Sequence, residues 1–376
     1  DPLHGAFVDT KVNAITGEDY SEQSALRGPS YTYGWIQGRA LEALTTFAVH
    51  YRDEDPELAQ RLNDRAALLF GGVKKLFDRD GHLYFLYNQQ LEPIRKTDSG
   101  AKPQSPAGQV FTYSDAFAAK GLFAASCLFA PKDTPIYLKY LMDVIAAIED
   151  NRFQMNEAVP IGPDSVQSEP DDFGPRMILL GAAGVLHRNE QSESTGFADR
   201  FIDHVLNRHY APESGLLLNI PGDDTCNVGH AIECCGFAFE HLLHRPDDGC
   251  IAQLCAILQR SLDAGLQGPG IALSLSAKSG AAISPYDPWW PMPEAARACA
   301  LSLRLGAETE IMEVWRRADD AFFDNYWQAD HSYAYQTRTI DGPFDFVPAT
   351  PDLDPAYHTG LSFLTAAETT KELLRG

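Results

Sequence analysis

The 376-residue chain is poor in basic residues: 30 Lys and Arg stand against 52 Asp and Glu, a formal net charge of −22. No stripe of Lys and Arg interrupts that balance. Neutralising a phosphate backbone demands clustered cations, so nucleic acid is not an expected partner, and the acidity is read as serving solubility. Long apolar runs are missing too. None approaches the roughly 20 residues of a membrane-spanning helix, so no membrane is expected as a partner. There is no Gly-x-x-x-x-Gly-Lys-Ser/Thr loop to cradle a nucleotide. The chain opens DPLHGAFVDT, without a basic stretch followed by an apolar core, so no secretory leader is expected. It also lacks an initiator Met, which leaves a processed N-terminus open. The seven cysteines are odd in number, lack zinc-ligand spacing and mostly sit in helical apolar runs such as AASCLF and AIECCGF. They read as small buried hydrophobes in a reducing, cytoplasmic compartment.

What is present is a recurring helical period. Eleven segments carry it, beginning near GWIQGRALEALTTFAVHYRD, PELAQRLNDRAALLFGGVKKLF, SDAFAAKGLFAASCLF, TPIYLKYLMDVIAAIEDNRF, GPRMILLGAAGVLHRN and TGFADRFIDHVLNRHY. The second half adds NVGHAIECCGFAFEHLLHR, CIAQLCAILQRSLDAGLQ, MPEAARACALSLRLG, TEIMEVWRRADDAFFDNYW and HTGLSFLTAAETTKELL. Two kinds alternate. Helices apolar all round, such as AFAAKGLFAAS, demand burial on both sides, whereas striped ones such as TEIMEVWRRADDAFF can face water. That alternation predicts an all-α fold, an (α/α)6 barrel of inner and outer helices, as one catalytic domain over 1–376. A tandem helical solenoid is the rival, but no fixed-period repeat supports it. The Pro/Gly-rich stretches KTDSGAKPQSPAGQ and PATPDLDPAY have loop length, too short to separate domains. Short alternating pieces, GHLYFLYN, GLLLNI and HSYAYQTRTIDG, predict small β-hairpins on one rim.

In such a barrel the inner helices start on one rim, and those starts are polar. They carry Trp35, Gln37 and Arg39; Tyr113, Ser114 and Asp115; Asp171, Asp172 and Arg176; His230 and Glu233; Trp289, Trp290 and Glu294; and Tyr357 and His358. Some have ordinary explanations: Ser114 and Asp115 suit a helix cap, and Glu294 suits a helix N-terminus. As a set they suit a sugar, with indole and phenol faces for its C–H side and directional polar groups for its hydroxyls. In NVGHAIE the His230–Glu233 spacing of i,i+3 puts an imidazole and a carboxylate on one helix face. Glu233 there can fix one tautomer of His230; a satisfied core histidine is the plain alternative.

Several of these stretches resemble the N-acylglucosamine 2-epimerase family. GWIQGR is similar to its Trp-x-Gln-Gly-Arg, NVGHAIE to its Asn-Pro-Gly-His-x-x-Glu, and PWWPMPEA to its Trp-Trp-Pro-His-x-Glu-Ala. The Trp290–Glu294 spacing also fits cellobiose 2-epimerases. FDRDGHLYF and FTYSDAF resemble the family's hairpin and third-helix start, and AYHTGL sits where its second active-site histidine stands. The resemblance spans about Tyr31 to Leu364 and implies an (α/α)6 barrel, in a superfamily that includes mannose and sulfoquinovose isomerases. It implies that His230 and His358 are the proton-transfer pair, that Glu233 orients His230, and that Arg39 binds the oxygen that becomes an enediolate. Tyr113, Trp290 and Glu294 would shape the sugar pocket, and a homodimer is implied as well. Three positions depart from the pattern. Met292 stands where some epimerases have a histidine, Leu361 where many members have an arginine, and Pro175–Leu180 lacks a histidine of cellobiose epimerases.

The expected function is a sugar epimerase or aldose–ketose isomerase acting at C2 of an opened reducing sugar, with a small-molecule sugar as partner. No cofactor is expected and no metal site, since His230 with Glu233 falls short of a usual ligand set. Two alternatives stay open. One is a glycoside hydrolase using carboxylates among Asp115, Asp172 and Glu233; the other is a non-catalytic sugar-binding protein.

Overall fold

The computed structural model describes residues 4–97, 100–346 and 350–375. Asp98 and Ser99 of the first Pro/Gly-rich loop, and Pro348 and Ala349 of the second, lie outside the described residues. All eleven anticipated helices are present, with ends shifted by a few residues, and the sheets are small and scattered. The chain forms two compact units.

The first unit comprises the described residues of Asp1–Asn13, Glu18–Glu169 and Ala349–Tyr357. It holds α1 (Gly34–His50), α2 (Pro56–Asp80), α3 (Tyr113–Phe129), α4 (Thr134–Glu149) and the five-residue α5 (Pro163–Gln167). Helix α3 is buried without a break from Ser114 to Ser126, as its apolar circumference requires. It packs on α1, while α2 and α4 pack outside them. The α1–α3 crossing is close because it is made by glycines. A Cβ on Gly38 would stand 2.5 Å from the Phe117 carbonyl carbon, and one on Gly121 would stand 2.5 Å from the Gly38 oxygen. The expected hairpin around GHLYFLYN appears within a four-stranded antiparallel sheet, in which Tyr33 pairs with Leu86 and Leu86 with Ile94.

The second unit comprises the described residues of Ala14–Gly17, Pro170–Pro348 and His358–Gly376. Its helices are α6 (Gly174–Arg188), α7 (Gly196–Arg208), α8 (Val228–Leu242), α9 (Asp248–Gly265), α10 (Pro291–Arg304), α11 (Ile311–Asn325) and α12 (Ser362–Leu373). Helices α6, α8, α10 and α12 pack in that order, with α7, α9 and α11 outside them. The two sequence classes sort accordingly: α10 is buried from Pro291 to Ser302, but α11 buries only Ile311, Val314, Ala318 and Phe322, one stripe. A π turn over Tyr357–Leu361 leads into α12.

Candidate active site

In the second unit the site grows from three helix starts. Asn227 caps α8 and its side-chain oxygen accepts the His230 amide at 3.1 Å, which fixes His230 in the first turn. Gly229 is required there by packing: a Cβ would fall 2.4 Å from Cη2 of Trp290. Trp290 ends the loop before α10, and its indole meets both histidines. The ring centroid of His230 lies 5.6 Å away at a 38° tilt, and that of His358 5.5 Å away at 40°. Trp289 meets His358 edge-on at 6.3 Å.

His358, carried by the π turn, is buried, with Nδ1 2.9 Å from Glu294 Oε1 and 3.9 Å from Glu233 Oε1. The other oxygen of Glu294 accepts from Arg297, which also donates to Ser362 Oγ at 2.8 Å and lies over the Phe237 ring. Burial alone would raise the Glu294 carboxyl, but the Arg297 charge and the His358 bond outweigh it and hold the group below the usual carboxylate range. Glu294 is therefore ionised at neutral pH and accepts from His358 Nδ1, which leaves Nε2 as the nitrogen available for proton exchange. Burial pushes the His230 imidazole below its ordinary value; Asp172 opposes the shift and His358 adds to it. His230 is thus an uncharged base at neutral pH. Among the described residues, His230 Nδ1 and Trp289 Nε1 are buried polar atoms without a hydrogen-bond partner. Such atoms are costly in a closed core and natural in a site awaiting a polar ligand.

The Glu233–His230 bond expected from the i,i+3 spacing is absent. Glu233 is buried, and its Oε1 lies on the His358 side of the site. Together Glu233, Glu294 and His358 place three donor atoms within 4.8 Å of one another, a set that could accept a divalent cation. Asp172 accepts the Gly174 amide at 2.7 Å ahead of α6, and Arg176 pairs with Asp171 at 3.6 Å. The departures Met292 and Leu361 are buried core side chains.

In the first unit Trp35, Arg39 and Tyr113 come together. The Trp35 ring lies 5.5 Å from Tyr113, and the Arg39 guanidinium stands 4.2 Å over Phe117 and 5.5 Å from the Tyr357 ring. Two residues expected to bind substrate are instead committed to the fold. Gln37 is buried and ties down the N-terminal segment, accepting the Val8 amide at 2.9 Å and donating to the Val8 carbonyl at 2.9 Å. Asp115 is fully buried and accepts from the Thr112 and Leu83 amides, His82 and the Tyr140 hydroxyl, so both its oxygens are used. A polar residue at a helix start serves the helix end first.

Sequence reasoning missed Arg297, although Glu294-x-x-Arg297 has ion-pair spacing. It also missed Glu157, a loop residue without a pattern signal. Glu157 accepts from Trp35 Nε1 at 2.8 Å and Ser114 Oγ at 2.7 Å, and burial pushes its carboxyl up to about 7.

No family model matches the chain, and no curated protein matches it. Solved structures do. The chain is similar to cellobiose 2-epimerase of Bacillus thermoamylovorans at TM-score 0.71 and 16% identity, covering 98% of this chain and 95% of that one. It is similar to a D-mannose isomerase at TM-score 0.70 and 9% identity, covering 98% and 96%. An α-1,6-mannanase of Salegentibacter sp. follows at TM-score 0.53 and 10% identity, covering 98% of each chain. At these identities the likeness shows the fold alone: the chain is an all-α protein of the (α/α)6 barrel type.

Proposed function

We propose that this protein is a carbohydrate epimerase or aldose–ketose isomerase that moves a proton at C2 of an opened reducing sugar. The observation that carries the reading is the pair of imidazoles laid against Trp290, one of them held by an ionised Glu294. A C–H beside a carbonyl is a weak acid and needs a base of pKa near neutrality. His230 or His358 takes the C2 proton and leaves an enediolate. Return of a proton to the opposite face of C2 gives the epimer; delivery to C1 gives the ketose. The indole of Trp290 offers the flat apolar face that a sugar's C–H side packs on. The Trp289 N–H supplies an unused donor for a sugar oxygen.

Structural likeness to sugar epimerases and an isomerase over nearly the whole chain supports the same reading, although a fold alone does not fix chemistry. The hydrolase reading draws on the neighbouring carboxylates Glu233 and Glu294. It needs one of a carboxylate pair to be a raised-pKa acid, and Glu294 is shifted the other way. Of the other carboxylates named from the sequence, Asp115 is spent in the fold and Asp172 accepts the Gly174 amide ahead of α6.

Incubation with a panel of aldoses, ketoses, reducing disaccharides and aryl glycosides, followed by chromatography, tests the proposal. A C2 epimer or the corresponding ketose is expected from a reducing sugar. Release of the aglycone with no change in any reducing sugar would establish the hydrolase instead.

A further inference from the structure

We propose that Asp171, His204 and His209 form a binding site for a divalent cation of the zinc class, separate from the Trp290 cluster. The three belong to the second unit: Asp171 precedes α6, His204 lies in α7, and His209 follows its last residue. One donor atom from each lies within 4.8 Å of the others. His204 Nε2 is 3.3 Å from Asp171 Oδ1, which is already the separation, about 3.3 Å, of two ligands on a tetrahedral zinc with bonds near 2.0–2.1 Å.

His209 supplies the observation that points to a ligand. It is completely buried, and its Nδ1 lies 3.0 Å from the Leu218 carbonyl. A carbonyl only accepts, so Nδ1 carries the hydrogen and Nε2 is left with a lone pair. That nitrogen is buried and has no hydrogen-bond partner among the described residues. An unmet buried acceptor is destabilising; a metal ion meets it. A histidine whose second nitrogen is tied to a carbonyl has the usual arrangement of a metal ligand.

The carboxylate is prepared in the same way. Arg208 Nε donates to Asp171 Oδ2 at 2.9 Å, an outer bond that orients the group and leaves Oδ1 toward the histidines. Arg176 opposes a cation, standing 3.6 Å from Oδ1. That contact is too long for a hydrogen bond, and the guanidinium already lies over the Phe201 ring, 5.8 Å from its centroid. Occupancy would tie the segment before α6 to the end of α7. Phe173 in that segment meets His209 at 5.5 Å and His230 at 6.3 Å. The ion would therefore stiffen the wall behind His230 without touching the histidine.

The test is zinc titration of the chelator-stripped full chain against a chromogenic competitor, with melting temperature read in parallel. One Zn²⁺ per chain and a raised melting temperature are expected. His204→Gln keeps an amide N–H for Asp171, and His209→Asn keeps a donor for the Leu218 carbonyl. Each should weaken zinc at least about tenfold while the metal-free melting temperature stays near that of the parent. Glu233→Gln, which disables the other such cluster among the described residues, should bind zinc unchanged. No stoichiometric zinc, undiminished affinity in both histidine variants, or loss in Glu233→Gln would overturn the site. Should a histidine variant fail to fold, Co²⁺ bound to the parent chain decides: a thiolate charge-transfer band would place the ion on cysteine and refute the proposal.

Discussion

His358 Nδ1 lies 2.9 Å from Glu294 Oε1, and Arg297 holds the other oxygen of the same carboxylate. The relay is buried throughout, so its charge acts on the imidazole with little screening by water. Glu294→Gln removes the charge and keeps the shape. It is expected to lower kcat roughly 10–100-fold with KM little changed, because the bond orients a base and does not bind the sugar. It also breaks the buried Glu294–Arg297 ion pair, so thermal unfolding should show a loss of about 3 kcal/mol.

Gly229 and Trp290 give a test of opposite sign to ordinary expectation. Replacing Gly by Ala inside a helix usually stabilises by about 0.5–1 kcal/mol. Here the added methyl meets the Trp290 ring at 2.4 Å and must displace it. Gly229→Ala should therefore lower the melting temperature, shift tryptophan fluorescence and reduce kcat. A variant more stable than the parent and fully active would show that the indole is not held where both histidines need it.

The acid limb of kcat/KM follows from His230. Burial, the largest influence, favours the neutral ring; Asp172 resists this and the neighbouring His358 adds to it. The base thus stays unprotonated below the ordinary histidine value of about 6.5, and the rate should fall only at more acid pH. Asp172→Asn removes the opposing charge, so the limb should move further toward acid. A shift toward neutrality in that variant would contradict the assignment.

Glu157 predicts a pH-dependent stability. Its carboxyl is raised by burial to about 7, while the unfolded chain has an ordinary value. The folded state therefore binds the proton more tightly. The stability this contributes is full below the unfolded value of about 4.3 and is lost as pH rises toward 7. Glu157→Gln is uncharged at every pH and keeps the partners Trp35 and Ser114. Its unfolding free energy relative to the parent should be higher at pH 8 than at pH 5, by an amount on the order of 2 kcal/mol. Equal differences at both pH values would rule out a buried titrating carboxyl.

The helices were legible because the apolar period and the contrast between all-round and striped segments follow directly from burial. That contrast separates the all-round apolar α3 and α8 from the striped α11. The five-residue α5 was not legible, since one turn carries no period. In the site, His230, Trp290, Glu294 and His358 were readable from short motifs whose spacing survives in the fold. Partners were harder. Spacing along α8 says that His230 and Glu233 are near each other, but not that Glu233 points toward His358 on the next elements. Gln37 and Asp115 misled for a related reason. A sequence shows a polar group at a helix start, not whether a backbone amide has already claimed it. Glu157 lies in a loop, where no periodicity marks the residue that tertiary contacts select.

The central claim is proton transfer at carbon through the two histidines on Trp290, and incubation in D₂O with a reducing sugar substrate measures it directly. NMR should show solvent deuterium entering at C2, or at C1 in a ketose–aldose exchange, at a rate that His230→Ala and His358→Ala each abolish while the fold persists. Turnover without deuterium in the product, or full exchange in either variant, would contradict the account.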